Sequence, residues 1–260
     1  MNPKPKTLKA ILPNKGVEVA YRKALKRLLA QIQDEAINEI EQCYQSSTKI
    51  AQDAGLNSLL RLLMKRLMEK WQNKLDRLAP QVAEIFAKSS GSHTDRAMMN
   101  ALKKAGFTVG FRFSPRQQEA YQAVLGENVA LITKMTTDHL QQIEQIVWRA
   151  VASGHNLKQL SGDLQNRFEM SKRRADFIAR DQNHKAKATI EQARRLDLGI
   201  TEAIWQHSTA GKHPRKSHVS ANGKKFDIAK GCYIDGEYIL PGQLINCLCT
   251  SRAVLPWEMG

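Results

Sequence analysis

Apolar positions from Val17 to Tyr44 (Val17, Ala20, Tyr21, Ala24, Leu25, Leu28, Leu29, Ile32, Ala36, Ile37, Ile40, Cys43 and Tyr44) fall three and four residues apart. That rhythm predicts a long helix with one buried stripe. A break at Gly55-Leu56-Asn57 precedes a second stripe through Leu59, Leu60, Leu63, Met64, Leu67, Trp71, Leu75 and Leu78, with Arg61, Lys65, Arg66, Lys70 and Lys74 on the polar surface. Two long amphipathic helices with a short connection favour an antiparallel pair over 17–88. Residues 89–128 then read as a hinge at Ser89-Ser90-Gly91-Ser92, a short helix from Arg96 to Lys104, a strand and a helix start. Phe107, Val109, Phe111 and Phe113 alternate with period two, which predicts the strand. Ser114-Pro115-Arg116-Gln117 has the form of a capping box with proline at the first helical position.

From Val129 to about residue 200 the helical rhythm dominates. Ile132, Met135, Leu140, Ile143, Ile146, Val147 and Ala150 carry it to an interruption at Ser153-Gly154-His155-Asn156, and Leu157, Leu160, Leu164 and Phe168 resume it to Met170. A further helix from Ser171 to Leu198 is expected to turn Ala175, Ile178, Ala179, Ala186, Ile190, Ala193 and Leu196 inward. Its cations Arg173, Arg174, Lys185, Lys187, Arg194 and Arg195 are expected outward, and Gly199 fits a C-cap. After Thr201 the pattern changes, with turns at Asn222-Gly223, Asp235-Gly236 and Leu240-Pro241-Gly242. Asn-Gly and Asp-Gly supply the positive backbone angles of tight hairpins, so 201–260 should be β-rich. The expected fold class is α+β, a mainly α-helical body with a small C-terminal β-hairpin-rich unit.

Charge adds a partner class. The 260 residues hold 40 Lys+Arg against 25 Asp+Glu, a formal net charge of +15, which suits nucleic acid, anionic lipid or an acidic protein surface. Within the first thirty residues Lys4, Lys6, Lys9, Lys15, Arg22, Lys23, Lys26 and Arg27 face one acid, Glu18. Residues 1–16, rich in proline and lysine, read as a basic arm able to contact phosphate or an acidic partner without sequence choice, or as a solubilising tail. No run approaches the roughly 20 apolar residues of a bilayer span, and the N-terminus lacks the apolar stretch of a secretory signal. Cys43, Cys232, Cys247 and Cys249 are too few for a disulfide framework at this length and are read as thiols in a reducing compartment.

The densest chemistry lies near the C-terminus. Cys247 and Cys249 stand two apart, so an extended backbone turns both sulfurs to one side. There they can meet His218 and one of His207, His213 or Cys232 as a zinc site. The same residues also fit a metal-free core in which thiols pack as small hydrophobes and His218 hydrogen-bonds a carbonyl. No glycine-rich phosphate loop, His-Glu-x-x-His or Gly-x-Ser-x-Gly is present, and no catalytic residues are assigned. A metal-dependent ββα nuclease would need a ligand-bearing helix after the hairpin, where this chain runs through Gly231, Gly236 and Pro241.

Ile178-Ala179-Arg180-Asp181-Gln182, Trp205-Gln206-His207-Ser208, Pro214-Arg215-Lys216-Ser217-His218, Asn222-Gly223-Lys224 and Leu240-Pro241-Gly242 with Asn246-Cys247-Leu248-Cys249 follow one another in this order. Order and spacing resemble the phage Mu protein F-like family of minor head proteins over about Val129 to Pro256. Family members often have Arg or Lys between the final cysteines and an acid after the tryptophan strand. Here Leu248 and Ser208-Thr209-Ala210-Gly211 stand instead. The resemblance implies structural roles for Arg180, Trp205, Arg215, Gly223 and Pro241. It also implies a non-enzymatic minor capsid component that joins the capsid interior of a tailed bacteriophage during assembly in the host cytoplasm. The partners it implies are portal, scaffold or major capsid protein and, non-specifically, packaged DNA. A host nucleoid-type DNA-binding protein is the alternative from another class, although no helix-turn-helix stands out.

Overall fold

A computed structural model describes residues 6–47, 53–153, 157–211 and 213–256. Four long helices, α1 (Lys15–Ser47), α2 (Asp53–Lys104), α3 (Pro115–Ala152) and α4 (Leu157–Asp197), precede the strands. The C-terminal part holds β1 (Glu202–Gln206), the short α5 (Lys216–Ser220), β2 (Lys225–Asp227), β3 (Cys232–Ile234), β4 (Glu237–Ile239) and β5 (Thr250–Val254). The α+β class with a helical body and a small antiparallel sheet region is what the periodicity predicts.

The chain divides into two compact units. One comprises Val19–Ala83 and Glu127–Ala179, and the other Met1–Glu18, Glu84–Gly126 and Arg180–Gly260. The all-helical unit is built on the predicted stripes: Ile32, Ala36 and Ile40 of α1, Leu60, Met64, Leu67 and Trp71 of α2, Ile143 and Val147 of α3, and Leu160 and Leu164 of α4 form one buried cluster. The α1–α2 pair is antiparallel, since Glu35 pairs with Lys70 and Lys74 while Glu39, one turn further on, pairs with Arg66, one turn earlier on α2. Burial would raise the Glu35 carboxyl, but hydrogen bonds and charges from Lys70 and Lys74 hold it below its ordinary value. His139 of α3 is buried with Nδ1 3.0 Å from Ser171 Oγ. Burial, assisted by the Arg167 charge, pushes its pKa down to about 4.

The mixed unit packs a sheet of order β2-β1-β5, all antiparallel, against helix ends. Ala203 and Trp205 of β1 point into a core with Phe226, Ala253, Met98 and Leu102. β3 and β4 form a separate hairpin with Ile234 opposite Glu237, and the expected turn residues Asp235 (φ 55°) and Gly236 (φ 89°) both take the left-handed region. Ser114 caps α3 as expected, its Oγ accepting the Gln117 N–H at 3.1 Å. Gly199 follows α4 at φ 72°.

Several local expectations fail for identifiable reasons. Gly55-Leu56-Asn57 lies inside the first turns of α2, and the connection between α1 and α2 falls at 48–52, outside the described residues. Residues 154–156 lie outside them as well. Ser89–Ser92 is no hinge: α2 continues through it, and with Arg96–Lys104 it forms one helix. Ala87, Ser90, Thr94 and Met98 share a buried stripe there, and a Cβ on Gly91 would lie 4.0 Å from Ile190 Cδ1 of α4. Small residues in this stretch let helices approach rather than break one. α4 likewise runs unbroken through Met170-Ser171.

Residues 107–113 form no strand. Phe107, Val109 and Phe111 are half-buried on the core while Phe113 is 71% exposed. A strand needs an edge to pair with, and among the described residues this segment pairs with none. Thr7 bridges Val254 of β5, and Gly231 bridges Asp227 of β2. The arm is therefore not free from residue 6 onward: Leu8 N–H donates to Ala253 O and Leu255 N–H to Lys6 O, both at 2.9 Å. Leu8 and Ile11 are buried.

The outward placement of three α4 cations is also wrong. Lys187, Arg194 and Arg195 are buried together with Glu191. Lys187 Nζ donates to Glu191 at 2.9 Å, and Arg195 pairs with the same carboxylate while donating to Ser251 Oγ at 2.7 Å. Arg194 grips Asp95 with two bonds, 2.9 and 2.7 Å, and donates to Arg112 O at 2.8 Å. A buried cation persists only where such partners replace water.

Candidate metal centre

Trp205 sits at the core end of β1, and His207 follows where the strand leaves the sheet. α5 is a single short turn, largely exposed, whose one buried side chain is His218. The His218 ring meets Trp205 edge to face, centroids 5.2 Å apart at 85°. Gly223, at φ 85°, returns its N–H to Trp205 O at 2.9 Å and lets the chain enter β2. Side chains of larger residues are strained at that angle. The Asn222 carboxamide accepts the His207 N–H at 3.0 Å.

The opposite wall comes from 240–249. Pro241 and Gly242 are buried in a turn, and a Cβ on Gly242 (φ 92°) would stand 3.3 Å from His184 O of α4. Gly242 N–H faces Cys247 Sγ at 3.4 Å. The turn before the cysteines is held from two sides: Arg180 Nη2 donates to Asn246 Oδ1 at 2.9 Å, Asp181 accepts the Asn246 N–H, and Arg215 Nη2 donates to Ile245 O at 3.0 Å. Asn246 itself has φ 59°. Arg180 and Arg215 thus position backbone, and Asp181 and Asn246 complete a clamp that spacing alone did not disclose. Sixty-five residues separate the two halves of that clamp.

The clamp presents both thiols to the imidazoles. Cys247 Sγ lies 3.4 Å and Cys249 Sγ 3.9 Å from His218 Nδ1, and Cys249 Sγ lies 3.7 Å from His207 Nδ1. The ligand atoms of His218, Cys247 and Cys249 fall within 4.8 Å of one another, and all three residues are buried. Cys247 is held down to about 5, chiefly by its hydrogen bond with Cys249 and further by the Cys249 and Gly242 amides and the His218 charge, against the opposing effect of burial. Cys249 moves the other way, first through the same bond and then through burial.

A cavity of about 470 Å³ opens beside them, lined among others by Arg180, His207, His213, Arg215 and Leu248. Of the three candidates for a fourth donor, His207 is the one within 4 Å of a sulfur of the pair. His213 is exposed on the cavity lip, and Cys232 is buried on β3 in the strand core. Two sulfurs with imidazole nitrogen form a donor set that zinc takes.

The basic residues singled out near the N-terminus are dispersed in role. Lys4 lies outside the described residues. Lys6 donates to Ala105 O at 2.9 Å and lies over the Phe107 ring. Lys15 pairs with Glu18, while Arg22 and Lys26 pair with Asp176. Lys9, Lys23 and Arg27 are exposed.

Residues 141–252 match the model of a family described as Phage Mu protein F like protein. An uncharacterised protein of Haemophilus influenzae is 27% identical over 252 residues, which cover 95% of this chain. The chain spans 55% of the length of that curated relative. No solved structure matches. The family match covers α4, the tryptophan strand, His218 and both clamped cysteines, and it agrees with the resemblance carried by the motif order. Among the described residues no helix is long and apolar enough to cross a membrane.

Proposed function

Since residues 141–252 are a Phage Mu protein F-like region, we propose that this chain is a minor head protein of a tailed bacteriophage that works by binding inside the capsid near the portal. The observation that carries the reading is the family match itself, which falls on the segment that builds the clamp and the thiol-imidazole cluster. Each motif piece has a positioning task there: Arg180 and Arg215 hold the cysteine turn, Trp205 walls His218, and Gly223 and Pro241 shape the turns. Binding, not turnover, is the use of such a rigid part. Its partners are portal, scaffold or major capsid protein, with packaged DNA as a non-specific electrostatic contact through exposed cations such as Lys9, Lys23 and Arg27.

A ββα nuclease gains no support, because among the described residues β2 is followed by the β3–β4 hairpin and a turn rather than a helix. Particle fractionation tests the proposal. The chain should co-sediment with assembled procapsids and depend on portal for retention; its absence from both immature and mature particles overturns the reading. DNA binding by the purified chain should fall at least about tenfold between 50 and 200 mM salt if three or more phosphates are neutralised. Salt-independent binding removes the electrostatic role.

A further inference from the structure

We propose that the C-terminal cluster is a closed zinc centre with four protein ligands: His207 Nδ1, His218 Nδ1, Cys247 Sγ and Cys249 Sγ. Geometry carries the assignment. With Zn–S near 2.3 Å and Zn–N near 2.0–2.1 Å, a tetrahedral site has S···N edges of about 3.6 Å and an S···S edge of about 3.8 Å. The three observed S···N separations are 3.4, 3.7 and 3.9 Å, which straddle that edge. The ligand atoms of His218, Cys247 and Cys249 lie within 4.8 Å of one another, and His207 Nδ1, 3.7 Å from Cys249 Sγ, would complete the set by turning toward the other three.

Several neighbouring features fit a metal better than a dry thiol core. Cys247 and Cys249 are presented by a turn secured through Arg180, Asp181 and Arg215, an investment in aiming that apolar packing does not require. Both thiols belong to the buried cluster that also holds Cys232, yet unlike Cys232 their sulfurs stand within 4 Å of imidazole nitrogens. The cavity beside them gives an ion a route in. His207 stands at its edge, half-buried, as the ligand that closes the site. Four protein donors leave no open coordination position, so the centre would be structural and would tie β1, α5 and the segment entering β5 together. This inference is independent of the assembly role.

Elemental analysis of the purified, reduced full-length chain should return about one zinc per molecule. Cobalt(II) replacing it should give tetrahedral d–d bands together with thiolate-to-cobalt charge transfer. His207→Ala should bind cobalt at least about tenfold more weakly, a loss no smaller than that seen when groups around a metal site are removed. His213→Ala and Cys232→Ala should leave the spectrum and affinity unchanged. Cys247→Ser is expected to cut the charge-transfer intensity roughly in half, since one of two thiolates remains; because that variant can fail to fold, the wild-type cobalt spectrum is the decisive measurement. Absence of zinc together with a cobalt spectrum lacking thiolate bands overturns the centre. Unchanged affinity in His207→Ala overturns the four-ligand assignment.

Discussion

The two units use the same ion-pair chemistry in opposite surroundings. Between α1 and α2, Glu35 and Glu39 meet Arg66, Lys70 and Lys74 on a wet surface, with cation side chains 37–66% exposed. On α4, Glu191 meets Lys187 and Arg195 with every partner 4% exposed. Solvent screens the first ladder, so each pair adds little and its loss is tolerated. In the second, two cations share one carboxylate. Burial pushes the Arg195 pKa down while Glu191 opposes that shift. The residue types are alike in the two regions, but the energetic stake is not.

Removing the shared carboxylate should therefore show the largest effect. Glu191→Ala strands two buried cations and is expected to cost about 3–5 kcal/mol. Hydrogen exchange under urea should register the loss in residues 180–256, and a change below about 1 kcal/mol would erase the contrast between the ladders. Acid comes next and touches both units. His139 and His184 are each pushed down to about 4, first by burial and then by neighbouring cations. The unfolded chain takes up these protons near pH 6.5 and the folded one only near 4, so this contribution is complete above 6.5 and is lost as pH falls from 6.5 to 4. Linkage gives up to about 3 kcal/mol for each histidine. Urea midpoints that stay level across that window would contradict the buried neutral state, and His139→Gln should flatten the dependence in the helical unit alone. The smallest effect is expected for Glu39→Gln, about 0.2–1 kcal/mol and decreasing with added salt. A loss of several kcal/mol there would mean that the surface ladder behaves like the buried one.

That contrast explains what the residue pattern discloses and what it hides. Stripes such as Leu60, Met64 and Leu67 announce a helix because burial and period coincide. Asp235-Gly236 and Ser114-Pro115 act through local backbone chemistry and are equally legible. Lys187, Arg194 and Arg195 are not, because residue type suggests solvent while burial depends on Glu191, Asp95 and Ser251 arriving from elsewhere. The alternation in Phe107–Phe113 is genuine, yet a strand also needs an edge to pair with. Ser89–Ser92 has loop composition, but small side chains serve equally where helices approach closely. At the candidate centre, Cys247, Cys249 and His218 could be grouped from spacing. The nearness of His207, and the grip of Arg180 and Asp181 on Asn246, depend on turns whose path no period encodes.

The strap that Lys6 to Leu8 lays along β5 has a practical corollary. Shaving off the first sixteen residues to strip cations would also bare a ladder of unsatisfied amides and carbonyls, a surface that invites neighbouring molecules to zip on. Loss of solubility in such a truncated chain would report the uncovered ladder, and charge reversal at single lysines is the cleaner way to ask what the positive residues do.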